Sequence, residues 1–283
     1  MMAIIISDIH GDIEKVRAFL AYRPEAEHIV LGDLVDSTRK GITLDDELAC
    51  LELLFSSDAK TLWGNHDLAY TKEMPWHCNT MHELPDEDIQ QKYIDNSPYL
   101  QDINRLNGYV SVRDILTDRF VANKDRMRVA YTVDGWLCTH AGVGPEMAEL
   151  IPPDVIAGGQ SDIVAWLEDQ FKRELVPVPL GKGGRPRRYG RGPLFQIPLC
   201  RHGDDYWGGI FWYDPHGEMT DPSPRVGKQI FGHTPVPWPE RTDNWINLNT
   251  FEEGIWVFDT GTDQLVDLLD DRELAGFVND QQT

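Results

Sequence analysis

The sequence predicts an α/β fold, α+β by some schemes, in which two mixed β-sheets pack as a sandwich flanked by helices, with helical and loop insertions over one edge. Two observations carry this reading. Apolar runs alternate with helical patterns through the first third of the 283-residue chain, and short strand-like runs separated by turn residues fill the last part. A third observation places the chemistry: five of the apolar runs end beside Asp, Asn or His with glycine next to them.

Ala3-Ile4-Ile5-Ile6 is unbroken, apolar and rich in β-branched residues, the pattern of a strand buried on both faces. Ile13 to Ala21 has helical spacing. His28-Ile29-Val30-Leu31 is the next strand, and Thr43 to Phe55 the next helix, with Asp45, Asp46 and Glu47 loading the first turn where the helix dipole favours negative charge. Lys60-Thr61-Leu62-Trp63 completes a βαβαβ order, which implies a mostly parallel sheet.

From 68 to 126 the texture changes. Leu84 to Asn96 and Ser111 to Phe120 have helical spacing with many charges and read as a helical insertion over the site. Arg128 to Thr139 returns to strand as a hairpin turning at Asp134-Gly135. A second insertion spans 150–225: Ser161 to Leu175 is helical, and 176–192 is crowded with proline, glycine and the cations Lys182, Arg185, Arg187, Arg188 and Arg191. That cluster reads first as a solvated loop and second as a flap bringing arginine to an anion. Gln229-Ile230-Phe231 is a further strand. Trp245 to Leu248, Gly254 to Asp259 and Gln264 to Leu269 read as an antiparallel meander, turning at Thr260-Gly261-Thr262-Asp263. The tail from Asp270 is acidic and then polar. The chain is read as a single domain, 1–283, carrying these two insertions.

Composition narrows the functional class. A net charge of -21 argues against general nucleic-acid or anionic-membrane binding. Cys50, Cys78, Cys138 and Cys200 are too scattered for a zinc-thiolate site and suit a reducing cytoplasm. No apolar run approaches the length of a membrane span, and Met1 to Ile6 is too short and lacks the basic start of a signal peptide. The expectation is a cytoplasmic protein; composition says nothing of its oligomeric state.

The strand-end loops are Ser7-Asp8-Ile9-His10-Gly11, Gly32-Asp33-Leu34-Val35-Asp36, Gly64-Asn65-His66-Asp67, His140-Ala141-Gly142-Val143 and Gly232-His233-Thr234. Carboxylates, imidazoles and an amide oxygen form a donor set for hard-to-borderline metals, and five strands are expected to deliver it to one edge of a sheet. Turn chemistry accounts for any one loop alone. The joint pattern points to metal.

On these motifs the chain resembles the calcineurin-like metallophosphoesterases, within them the phosphoprotein phosphatase branch that includes bacterial and phage serine/threonine phosphatases and symmetrical diadenosine tetraphosphatases. The family pattern reads Gly-Asp-x-His-Gly, Gly-Asp-x-x-Asp, Gly-Asn-His-Glu/Asp, a lone His and Gly-His-Thr; here Ser7 stands for the first Gly. The resemblance covers about 2–145 and 226–270, and implies a metallophosphatase-like fold. It also implies two divalent cations, with Mn first and Fe, Zn or Co as alternatives: Asp8, His10 and Asp33 would hold one, and Asp33, Asn65, His140 and His233 the other. A hydroxide bridging them would attack phosphorus, His66 would be the general acid, and Asp36 would orient it. Thr234 and Pro235 after His233 fit this branch, not the one ending Gly-His-x-His.

One departure touches the substrate. The family places Arg after the second Asp of the second motif, where Ser37 stands here. Arg39, Arg188, Arg191 and Arg201 are the candidate phosphate-binding arginines, with Arg225 behind them. His28, His77, His82 and His216 are expected to be surface or structural, His202 with Asp204 and Asp205 a turn, and Trp207, Trp212 and Tyr213 core or a lid. The expected substrate is a phosphorylated protein or other phosphomonoester. A dinucleoside polyphosphate, with an aromatic of the second insertion on a base, is the alternative, and a non-catalytic metal-binding scaffold the reading from another class.

Overall fold

The computed structural model of the chain describes residues 2–37, 39, 41–71, 112–176, 190–251 and 254–269. The first strands are β1 (Ala3–Ile6), β2 (Glu27–Val30), β3 (Lys60–Leu62) and β4 (Met127–Arg128), followed by β5 (Tyr131–Val133) and β6 (Trp136–Cys138). Then come β7 (Lys228–Phe231), β8 (Glu240–Arg241), β9 (Trp245–Asn247), β10 (Trp256–Asp259) and β11 (Gln264–Asp267). The helices are α1 (Ile13–Ala21), α2 (Leu44–Ser56), α3 (Val112–Asn123), α4 (Pro145–Glu149), α5 (Pro153–Gly158) and α6 (Gln160–Glu174).

One sheet runs β11-β10-β1-β2-β3-β4, parallel from β1 to β4 and antiparallel where β10 joins β1 and β11 joins β10. The other runs β5-β6-β7-β9-β8, parallel through β6, β7 and β9 with antiparallel strands at both edges. Side-chain alternation divides the core. Ala3, Ile5, Ile29, Leu31 and Leu62 meet Val133, Trp136, Cys138, Ile230, Ile246 and Leu248 between the sheets. The opposite face of the first sheet, Ile4, Ile6, Val30 and Trp63, packs with Phe19 of α1, Leu54 of α2 and Phe120 of α3. Strands buried on both faces are why the sequence runs read as unbroken rather than alternating.

The helices start where side chains satisfy their first amides. Asp12 caps α1 by accepting from Lys15 N at 3.1 Å. Thr43 and Asp46 form a reciprocal capping box on α2, at 3.2 and 2.8 Å. His28 closes the other end of α1: it is buried, with Nδ1 3.0 Å from Ala26 O and Nε2 3.0 and 3.1 Å from Phe19 O and Tyr22 O.

The structure differs from the sequence reading in two connections. The Asp134-Gly135 turn is present, both residues having positive φ (48° and 80°), and Val133 pairs with Trp136. Met127–Arg128, however, belongs to the first sheet, so the chain changes sheets before β5 rather than forming one long hairpin. The expected meander is also split: β10 and β11 form a hairpin in the first sheet, whereas β9 lies in the second, parallel to β7. Local turn chemistry identifies a hairpin, but periodicity alone does not reveal which sheet a short strand joins. The expected helix Leu84 to Asn96, His77, His82, Cys78, most of loop 176–192 and the tail from Asp270 lie outside the described residues.

Glu174, the last residue of α6, gives a stability prediction. It is buried, its Oε2 accepts from Leu194 N at 3.0 Å, and its main-chain oxygen accepts from Val176 N and Arg191 N. Burial pushes its carboxyl up to about 7, against the pull of the Leu194 hydrogen bond. The folded chain therefore keeps this proton where the unfolded chain has lost it, so stability falls as pH rises through about 7. Glu174→Gln is expected to raise the urea midpoint at pH 8, by on the order of 2 kcal/mol in stability, and to leave it unchanged at pH 4. An equal midpoint for the two proteins at pH 8 would refute the assignment.

Candidate metal and active site

Parallel neighbours end on the same side, so β1, β2 and β3 deliver Asp8, Asp33 and Asn65-His66 together, while β6 and β7 deliver His140 and His233 from the other sheet. The loops thus meet across the edges of two sheets, not along one. Asp8, His10, Asp33, Asp36 and His233 all adopt positive φ, from 47° to 67°. Such a concentration of left-handed, non-glycine residues turns the chain sharply at each strand end. Two glycines permit the close approach: a Cβ on Gly64 would stand 2.1 Å from Asp33 Oδ1, and one on Gly232 2.1 Å from Asp8 Oδ2.

Two groups of ligand-capable atoms result, Asp8 with His10 and Asp33, and Asp33 with His140 and His233. Asp33 belongs to both. Asn65 adds its Oδ1, 2.8 Å from His140 Nε2 and 2.8 Å from His233 Nδ1. Protonation can be read from the partners. His10 Nδ1 lies 2.9 Å from Val35 O and His140 Nδ1 2.8 Å from Leu31 O, and a carbonyl only accepts, so each ring carries a proton on Nδ1. In that tautomer each Nε2 carries its lone pair on the side of the carboxylates, His10 at 3.9 and 3.8 Å from Asp8 and Asp33 and His140 at 3.4 Å from Asp33, so a cation between them would be shared by nitrogen and oxygen.

Electrostatics agrees with this assignment. Burial holds the His10 and His233 imidazoles below their ordinary value, for His233 reinforced by His140 and Arg201. Burial opposes ionisation of Asp33, yet His140, His66 and His10 hold its carboxyl below the usual range. Imidazole nitrogens, carboxylate oxygens and the Asn65 amide oxygen thus converge in two groups that could hold hard-to-borderline divalent cations.

His66 stands beside these groups. Its backbone N–H donates to Asp33 Oδ1 at 2.9 Å, and its Nδ1 lies 3.2 Å from Asp36 Oδ2. Burial disfavours the charged ring, but Asp33, the Asp36 hydrogen bond and charge, and Asp67 outweigh it and push its pKa up to about 10. Asp36 is fully buried and its second oxygen accepts from Tyr70 Oη at 2.5 Å. Asp67 pins two of the loops, accepting from Leu34 N at 2.8 Å and Gly64 N at 2.9 Å.

Asp8, His10, Asp33, Asp36, Asn65, His66 and His233 line a cavity of about 510 Å³ with Lys15, Arg39, Arg201, Trp212, Asn249 and Phe251 on its walls. His140 is fully buried behind it. Of the candidate arginines, Arg39 reaches the cavity and pairs with Asp12 at 3.2 Å. Arg201 reaches it from the other side, held by Asp214 at 2.8 Å and Thr234 Oγ1 at 3.0 Å. Arg191 does not line it: the residue is exposed and its backbone is tied to Glu174. Arg225 instead pairs with Glu149 at 2.7 Å, and Arg188 lies outside the described residues. His216 pairs with Glu240, and the segment after His202 is a turn in which Asp205 Oδ2 accepts from Ile197 N. Trp212 stands edge-on to His233 at 5.7 Å, so it belongs to the site wall, whereas Tyr213 is buried.

Three residues of the site were not legible as such. Asn249 donates to Asp8 Oδ1 at 3.0 Å and His233 O at 3.1 Å. It follows β9, parallel to β7, and so repeats the strand-end pattern of the other loops; placing that strand in a meander conceals it. Tyr70, on the short helical turn Asp67–Tyr70, and Lys15, on α1, carry no signature at sequence level.

The family model for calcineurin-like phosphoesterases matches residues 1–237. It runs through the stretch 146–225, where the motif resemblance is poor. A provisionally named serine/threonine-protein phosphatase from Caenorhabditis elegans is 22% identical over 147 residues, a match covering 51% of this chain and 27% of that protein. Among solved structures, a cold-active protein-tyrosine phosphatase from a psychrophilic Shewanella species is 13% identical, covering 94% of this chain and 80% of that chain with a TM-score of 0.49. A protein serine/threonine phosphatase from Saccharomyces cerevisiae is 11% identical, covering 88% and 67%, with a TM-score of 0.38.

Proposed function

Because the chain belongs to the calcineurin-like phosphoesterase family, we propose that it is a divalent-metal-dependent phosphatase hydrolysing phosphomonoesters, with protein serine/threonine phosphatase-like chemistry. The observation that supports this best is the pair of donor groups sharing Asp33, with His66 and Asp36 facing the same cavity. Asp8, His10 and Asp33 would hold one cation, and Asp33, Asn65, His140 and His233 the other. Manganese is the first to test, with iron, zinc and cobalt as alternatives. When bound, such a pair neutralises phosphate charge and lowers the pKa of water to near neutrality.

The chain's own residues supply the rest. Asp36 accepts from Nδ1 of His66, which leaves Nε2–H of the imidazolium to protonate the departing oxygen. Asp33 fixes the His66 backbone, so acid and cation positions share one anchor. Arg39 and Arg201 place guanidinium groups on the cavity wall, suited to phosphate oxygens. Tyr70 acts through Asp36 as a positioning residue. Tyr70→Phe is expected to lower kcat about tenfold with KM and metal content unchanged, the scale of losing a group that orients an active side chain. An unchanged kcat would remove Tyr70 from the account.

The experiment is hydrolysis of para-nitrophenyl phosphate by the full chain with added manganese, with and without chelator. Chelator-sensitive turnover is expected; none with any divalent metal would favour a binding scaffold. Trp212 and Phe251 on the cavity wall favour a second reading, a dinucleoside polyphosphate hydrolase in which an aromatic stacks on a base. Comparing a phosphopeptide with diadenosine tetraphosphate separates the two, and faster turnover of the phosphopeptide is expected. Among the described residues no helix is long and apolar enough to cross a membrane. We place the protein in the cytoplasm, acting on phosphorylated proteins.

A further inference from the structure

The cavity wall beside Asp8 carries a cation outside every motif. Lys15 lies in the first turn of α1, and its Nζ donates to the main-chain oxygen of Asp8 at 2.7 Å. Among the described residues that is its one side-chain hydrogen bond, so two of its three protons are left for the cavity it lines. Arg39 is placed nearby by Asp12, whose one carboxylate oxygen caps α1 at the Lys15 main-chain N–H while the other accepts from Arg39 Nη1 at 3.2 Å. Ser37, standing where the resemblance expects arginine, has a different task. Its hydroxyl accepts from Arg39 N at 3.1 Å, a local turn that carries the chain on to Arg39.

We propose that Lys15 and Arg39, which line the same cavity, form an anion site that receives a phosphate oxygen of the substrate and takes over the part for which Ser37 has no charge. This rests on the phosphatase reading above. The site lies beside Asp8, at the group Asp8-His10-Asp33, whereas Arg201, bound to Thr234 next to His233, flanks the other group. An ammonium near carboxylates balances charge without taking up a ligand position. With one proton on Asp8 O, the ammonium lines the cavity with two donors that a phosphate oxygen could accept from.

The test uses the metal-loaded full chain with inorganic phosphate as the probe, by calorimetry and as product inhibitor of para-nitrophenyl phosphate hydrolysis. Lys15→Gln is expected to raise the phosphate dissociation constant and KM about tenfold, with kcat changed far less, and Lys15→Arg to keep most of the affinity. Arg39→Gln, at an exposed position, is expected to raise both several-fold. Unchanged phosphate affinity and KM in both single variants, from an active parent protein, would overturn the proposal. Lost metal and a lower melting temperature in Lys15→Gln, with Arg39→Gln unaffected, would assign Lys15 to structure and overturn it too. A parent protein that neither binds phosphate nor turns over substrate would fail the phosphatase reading itself.

Discussion

Asp33→Asn is expected to lower kcat/KM for an aryl phosphate by about 10³-fold or more and to strip metal from both positions. Asp33 is the one side chain common to both donor groups, and it is buried, so solvent does not replace its charge. Its Oδ2 faces His140 at 3.4 Å and His10 at 3.8 Å, while Oδ1 holds the His66 backbone at 2.9 Å. An amide of the same shape keeps a hydrogen-bond acceptor for His66 N but removes the charge that both cations would share. The loss therefore belongs to metal binding rather than to folding. Elemental analysis of the purified variant, with its melting temperature, checks this. A folded Asp33→Asn protein retaining two cations and normal turnover would refute the shared-ligand assignment.

His66→Asn is expected to act on a different quantity. Metal content and KM should stay close to the parent protein, whereas kcat should fall by about 10² to 10³-fold, the range for losing a positioned proton donor. The reason is geometric: Asp36 fixes Nδ1 at 3.2 Å and Tyr70 holds the other Asp36 oxygen at 2.5 Å, so the ring cannot turn Nδ1 to the cavity without breaking that chain. The fall should be larger for an alkyl phosphate than for para-nitrophenyl phosphate, whose leaving oxygen needs little protonation. Equal losses for both substrates would mean that His66 does not protonate the leaving group.

Much of the candidate site is legible in the sequence for a physical reason. Parallel strands covered on both faces leave unbroken apolar runs, and a ligand at a strand's end must follow that run directly. Asp8, Asp33, Asn65, His140 and His233 all do, and Ile13 to Ala21 was legible as a helix by spacing alone. Partition between sheets was not, because strands of two to four residues carry too little periodicity to reveal their neighbours. The run that forms β9 therefore reads as part of a meander, which hides Asn249 behind it. Long side chains pose another limit. Lys15 and Tyr70 reach the site from a helix and a short turn, and no local pattern distinguishes them from residues that merely pack. The arginines illustrate the same point: chain position placed Arg191 and Arg201 alike, whereas only Arg201 finds Asp214 and Thr234 to steer it into the cavity.

The proposed function requires two cations sharing Asp33. Titrating the metal-free full chain with manganese while following para-nitrophenyl phosphate hydrolysis tests it most directly. Activity is expected to stay low through the first equivalent and to reach its plateau at the second. A plateau at one equivalent, or no activity at any, would contradict it.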